Sequence, residues 1–247
     1  MPPLVEACVD SVSGAAAAAA AGAGRLELCA GLVEGGTTPS AGLIGLVRSV
    51  VAIPVHVLVR PRAGDFLYDE AELAVMRGDL AAAAALGADG VVVGALDASG
   101  DVASDALRAL IEAARPMAVT FHRAFDFARD PERSLDVLMT LGVERLLSSG
   151  QAPTAEAGIP LLRRLVDRAG DRLTVVAGGG VTAANARRIV LETGAREVHL
   201  SGRVRGESPM RFRRETVRAG SSELPGEYQR VTTDPGAIAA VVAALSS

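Results

Sequence analysis

Two short stretches put an acid and a thiol at the same spacing. LVEACV (4–9) carries Glu6 and Cys8, and RLELCA (25–30) carries Glu27 and Cys29. Each acid precedes its thiol by two residues, so on a β-strand the two side chains share a face. On adjacent parallel strands ~4.8 Å apart, thiols at matching heights can approach each other. Such a pair can pack as two small hydrophobes, oxidise to a disulfide, or hold a soft metal. There is no CxxC spacing and no closed His or Cys set, so a metal held here would be Cu(I) rather than structural zinc.

The remaining polar residues of chemical interest fall in three more stretches. RPRAGDF supplies Arg60, Arg62 and Asp65; TFHRAFD supplies Thr120, His122, Arg123 and Asp126; EVHLSG supplies His199 and Ser201. Val55, Val57 and Val59 suit a helix-facing surface, which leaves His56, Leu58 and Arg60 pointing inward. Glu6 and Glu27 are expected to point inward as well, with Arg60 as their ion-pair partner. Glu6, Glu27, Arg60 and His122 then form a candidate acid–base site, because clustered charges shift one another's pKa values. Arg62, Asp65, Arg123, Asp126, His199 and Ser201 are the matching candidates for substrate contacts. The same cluster also reads as a purely structural ion network.

AGGGVT (177–182) adds Gly178, Gly179 and Gly180. Their backbone N–H groups are placed to cradle phosphate, and a tight turn at positive φ fits the glycines equally well. The chain has no lysine: all 25 basic residues are arginine. Schiff-base chemistry is therefore excluded.

Positioning these residues requires regular elements. Strands are predicted over 4–9, 25–30, 55–60, 89–95, 117–122, 145–150, 173–178 and 197–202. Helices are predicted over 13–22, 40–50, 69–86, 104–114, 131–141, 155–169, 182–193 and 235–245. Pro39-Ser40, Asp130-Pro131 and Thr182 read as helix starts, and Leu86-Gly87 and Leu141-Gly142 as helix ends. Eight consecutive βα units predict a (β/α)8 TIM barrel in one domain over 1–247. A doubly wound sheet is disfavoured by the absence of GxGxxG after the first strand. In a barrel the chemistry belongs where strands end, which is where the polar residues concentrate; Cys8 and Cys29, one layer above Glu6 and Glu27, are both expected at the barrel mouth. Residues 203–234 break the rhythm with a long, unstructured, arginine-rich excursion, a candidate lid or subunit contact and equally a mobile solvated loop.

Composition narrows the function classes. With 247 residues, 49% of them hydrophobic, and a net charge of −4, the chain can bury one large core. It lacks the basic surface that a nucleic-acid partner requires. The alanine run at 15–22 is far short of a membrane span, and MPPLVEACVD does not read as a signal peptide. A soluble cytoplasmic protein is expected, with reduced cysteines. Nothing points to an organic cofactor.

Taken together and in order, ELCAGLVEGGTTPS, RPRAGDFLY, TFHRAFD, SSGQ, AGGGVT and EVH resemble the CutC copper-homeostasis family from about Glu6 to Tyr228. The resemblance implies a TIM barrel, a cytoplasmic homo-oligomer, and Cu(I) bound by cysteines that match Cys8 and Cys29. Some members carry further cysteines; here the thiolates number at most two. The longest matching motifs contain no thiol, and soft Cu(I) has little use for arginines and carboxylates. The alternative expectation is thus an enzyme with a Glu/Arg/His acid–base site acting on a small anionic, sugar-like or phosphorylated substrate. A barrel that has lost its chemistry and serves as a scaffold is a third reading.

Overall fold

The computed structural model describes residues 2–217 and 226–246. Strands and helices alternate along the chain as β1 (Leu4–Val9), α1 (Val12–Ala20), β2 (Arg25–Leu28), α2 (Ala41–Val50), β3 (Val55–Leu58) and α3 (Glu70–Ala85). They continue as β4 (Gly90–Val93), α4 (Ser104–Ala114), β5 (Ala118–Phe121), α5 (Pro131–Thr140), β6 (Arg145–Ser148), α6 (Ile159–Ala169), β7 (Thr174–Gly178), α7 (Ala186–Thr193) and β8 (Glu197–Leu200). After β8 come β9 (Arg203–Glu207), β10 (Gln229–Thr233) and α8 (Pro235–Ser246). Strands β1 to β8 are parallel, and β1 pairs with both β2 and β8, closing the TIM barrel.

Local chemistry accounts for the boundaries. Ser40 and Asp130 cap α2 and α5 by accepting backbone N–H bonds from Leu43 and from Glu132 and Arg133. Gly87 and Gly142 leave their helices at positive φ. Thr182 is not a helix start: the glycine-rich turn runs on, and α7 begins only after Asn185, whose side chain accepts from the Thr182 N–H.

Alternation along each strand divides the barrel wall. Val5, Ala7 and Val9, Val55, Val57 and Val59, and Val91 and Val93 are all buried in the layer between strands and helices. The opposite faces turn into the barrel and carry most of the polar residues. Two glycines of the β4 region make room for ring side chains there. A Cβ at Gly90 would sit 2.5 Å from His56 Nε2, and one at Gly94 would sit 2.4 Å from His122 Cε1.

The excursion after β8 is not wholly irregular. Its ends zip into an antiparallel ribbon, Arg203 opposite Thr233 and Glu207 opposite Gln229. The middle of the predicted lid, including Arg218, lies outside the described residues. Among the described residues, no helix is long and apolar enough to cross a membrane.

Candidate functional site

Strands β1, β2 and β8 are neighbours, and their register sets Glu6 beside Arg25 and His199, and Cys8 beside Glu27. The lowest level of the interior is an ion network. Arg25 donates from Nε to Glu6 (2.5 Å) and from a terminal nitrogen to Glu197. Arg145 reaches Glu197 at 3.3 Å. Arg60 was expected to pair with Glu6 and Glu27, but Arg25 occupies that role with Glu6. Arg25 and Glu197 precede Glu27 and His199 by two residues, so alternation alone could have found both.

One level higher, His199 Nδ1 meets Glu6 Oε1 at 2.8 Å and its Nε2 lies 3.7 Å from Glu27 Oε2. Burial alone would raise Glu6, but the His199 hydrogen bond and the Arg25 charge outweigh it and hold the carboxyl well below its ordinary range. Burial opposes the imidazolium of His199, yet Glu27, Cys8 and Glu6 raise it well above its ordinary value. Glu27 is raised, mainly by burial, with His199 pulling the other way.

The thiols do meet. Cys8 Sγ and Cys29 Sγ lie 3.0 Å apart as free cysteines. Their depth differs from the expected pair of mouth residues. Cys29 is fully buried with Leu58 and Val92 in a small apolar cluster, and Gly36 passes over it at positive φ. Cys8 is 5% exposed and lines the mouth cavity. The hydrogen bond to Cys29, then burial, push the Cys8 thiol up. For Cys29 the bond from Cys8 pulls down, but burial and the Glu27 charge leave it raised. Among the described residues, both sulfurs and a Glu27 oxygen lie within 4.8 Å of one another. That is a donor set with two soft atoms and one hard one.

The mouth cavity measures about 290 Å³ and is bordered by Cys8, Glu27 and His199 on one side and by Arg60, Phe66 and His122 on the other. Arg60 is held by three carbonyls: Nη1 donates to Glu34 O (3.1 Å) and Gly36 O (2.8 Å), and Nη2 to Gly64 O (2.7 Å). His122 is pushed down to about 3 by burial and the Arg60 charge, so its ring is neutral. Gly179 and Gly180 stand at φ +107° and +71° on the cavity wall, with Arg123 packed against Gly179, and Ser201 and Arg203 complete that side. Gly178 lies below, where a Cβ would strike Leu147 at 2.5 Å.

Asp126 is a brace. It accepts from Ser148 Oγ (2.6 Å), from the N–H groups of Ser149 and Gln151, and from Arg123 Nε (2.7 Å). This explains the SSGQ stretch: Gln151, at φ 53°, ties the loop further by donating to Phe125 O and Ala128 O. Arg62 and Asp65 are not brought to the cavity. They pair with each other at 3.0 Å on the surface, and Arg62 also binds Glu72 beside the α3 cap.

Comparison with known proteins now bears on this geometry. The CutC family profile matches residues 3–204. The mouse copper homeostasis protein cutC homolog is 48% identical over 94% of this chain and 85% of its own length. A CutC family protein of Mesorhizobium japonicum is 46% identical over 98% of this chain and 94% of its own. The crystal structure of a CutC protein from Streptococcus agalactiae superposes with a TM-score of 0.77 at 34% identity, covering 80% of this chain and 97% of that one.

Proposed function

The chain belongs to the CutC copper-homeostasis family, and on that premise we propose that its Cys8–Cys29 pair takes Cu(I) as cargo. The observation that carries this reading is the 3.0 Å approach of two free thiols, with Glu27 in reach as a third donor. Thiolates suit soft Cu(I), and two donors satisfy an ion that accepts low coordination. Both thiols are raised, so at neutral pH binding expels two protons and tightens as pH rises. Cys8 borders the cavity and offers the entry point, whereas Cys29 is reached only through Cys8 or past Gly36. A linear bridge with metal–sulfur bonds of ~2.3 Å, the zinc–thiolate length, needs ~4.6 Å between sulfurs. At 3.0 Å the sulfurs are too close for that bridge, so binding would require Cys8 and Cys29 to move apart, with Glu27 in reach as a third donor.

The test is an anaerobic Cu(I) titration against a coloured competing chelator. The native protein is expected to compete, and Cys8→Ser with Cys29→Ser is expected to lose that competition while keeping its fold. Unchanged affinity in the double variant overturns the reading.

A further inference from the structure

The copper reading leaves the far wall of the cavity unused, and that wall carries two donors with nothing to bind. Arg60 is 6% exposed. Its terminal nitrogens are fixed by three carbonyls, its Nε has no hydrogen-bond partner, and among the described residues no carboxylate comes within ion-pair distance of it. Arg25, equally buried in the same barrel, has two carboxylates. A buried guanidinium with carbonyl dipoles and an aromatic face but no counter-charge is one that proteins normally avoid.

His122 is 5% exposed and presents the second donor. Its Nδ1 accepts the Ala124 N–H at 3.1 Å. In a neutral ring that acceptor role puts the proton on Nε2, and Nε2 has no partner either. Buried donors are almost always satisfied, so each exception calls for a physical account, such as a functional role or a small partner that completes it.

Both side chains border one cavity, and Phe66 covers them. Its ring lies 5.0 Å from the His122 ring, and the Arg60 guanidinium sits 5.1 Å from the Phe66 centroid. The ring also packs on Phe127, centroids 5.6 Å apart, and a rotation of the Phe66 side chain would leave the Leu96 N–H bond to Phe66 O (2.8 Å) intact. Arg203 and the Asp126-paired Arg123 border the same space, with Glu27 across the cavity, so the Arg60 side is the half whose charge suits an anion. Guanidinium and imidazole N–H groups converge on oxyanions in this way.

We propose that Arg60 and His122 form a receptor for the oxyanion group, carboxylate or phosphate, of a small organic molecule, uncovered when Phe66 rotates. The neutral imidazole donates through Nε2 and the guanidinium through Nε. The cavity's about 290 Å³ restricts the occupant to a small metabolite. The site uses no thiol, so it stands or falls separately from copper.

The test uses metal-free full-length protein and two probes, inorganic phosphate and acetate, read by the His122 Nε2–Hε2 resonance in ¹⁵N-edited spectra. Saturable displacement of that resonance by phosphate alone assigns a phosphate ester, by acetate alone a carboxylate, and either supports the receptor. Read by calorimetric titration with the same probes, His122→Phe is expected to weaken binding at least tenfold, and Phe66→Ala to strengthen it. No displacement by either probe, or equal binding in His122→Phe, overturns the proposal. Should His122→Phe fail to fold, the resonance of the unaltered protein decides alone.

Discussion

Removing the guanidinium of Arg25 tests whether the ion network supports the site above it. Arg25→Met leaves Glu6, 1% exposed, and Glu197, 9% exposed, without their shared cation. Breaking a buried pair from one side costs about 3–5 kcal/mol, because each carboxylate loses a desolvated partner and keeps one, Glu6 its His199 and Glu197 its Arg145. Against a total stability of about 5–15 kcal/mol this is a large fraction. For a chain of this size it lowers Tm by roughly 6–20 °C. The loss also carries a pH signature. Glu6 is held well below its ordinary range, with burial outweighed by the His199 bond and the Arg25 charge. Its stabilisation is present above the unfolded carboxyl pKa and fades as pH falls through the folded one. The gap between native protein and variant therefore narrows in acid. Urea unfolding at pH 7 and near pH 3 measures both effects. A difference below ~1 kcal/mol at pH 7 would refute the reasoning, since Glu6 and Glu197 would then have found other compensation.

Three further outcomes follow from the same geometry. His122 is pushed down to about 3, mainly by burial, so below pH 6.5 the unfolded chain binds a proton that the folded one does not. Its share of stability falls by about 1.4 kcal/mol per pH unit between pH 6 and 4; His122→Phe should remove that slope, and parallel stability curves would contradict it. Gly94→Ala places a Cβ 2.4 Å from the His122 ring and is expected to cost about 1–3 kcal/mol by overpacking, with a displaced His122 resonance; unchanged stability and spectrum would show that the ring yields freely. Glu27→Gln should weaken Cu(I) competition less than Cys8→Ser does, because a carboxylate is the harder donor; the reverse order would make the carboxylate the principal ligand.

Much of this was legible in the sequence because the barrel's alternation is strict. Glu6 with Cys8, Glu27 with Cys29, and His56 with Arg60 share faces as the two-residue period requires, and the thiols meet as adjacent strands predict. Arg60 went to the wrong partners for a different reason. An inward direction is set by period, but the height at which a long side chain ends is set by neighbouring loops. Here the carbonyls of Glu34, Gly36 and Gly64 captured it. Arg62 and Asp65 follow the same pattern, their loop being shaped by the α3 cap rather than by the cavity. The bracing role of Asp126 was hidden because its partners, Ser148, Ser149 and Gln151, come from the next βα unit. The pairing of β9 with β10 joins segments separated by more than twenty residues, beyond the reach of local pattern.

The most direct test of the copper assignment is X-ray absorption at the copper edge on protein loaded with one equivalent of Cu(I). Two sulfur neighbours are expected in the first shell, and both are lost in Cys8→Ser with Cys29→Ser. A first shell of nitrogen and oxygen only would contradict it.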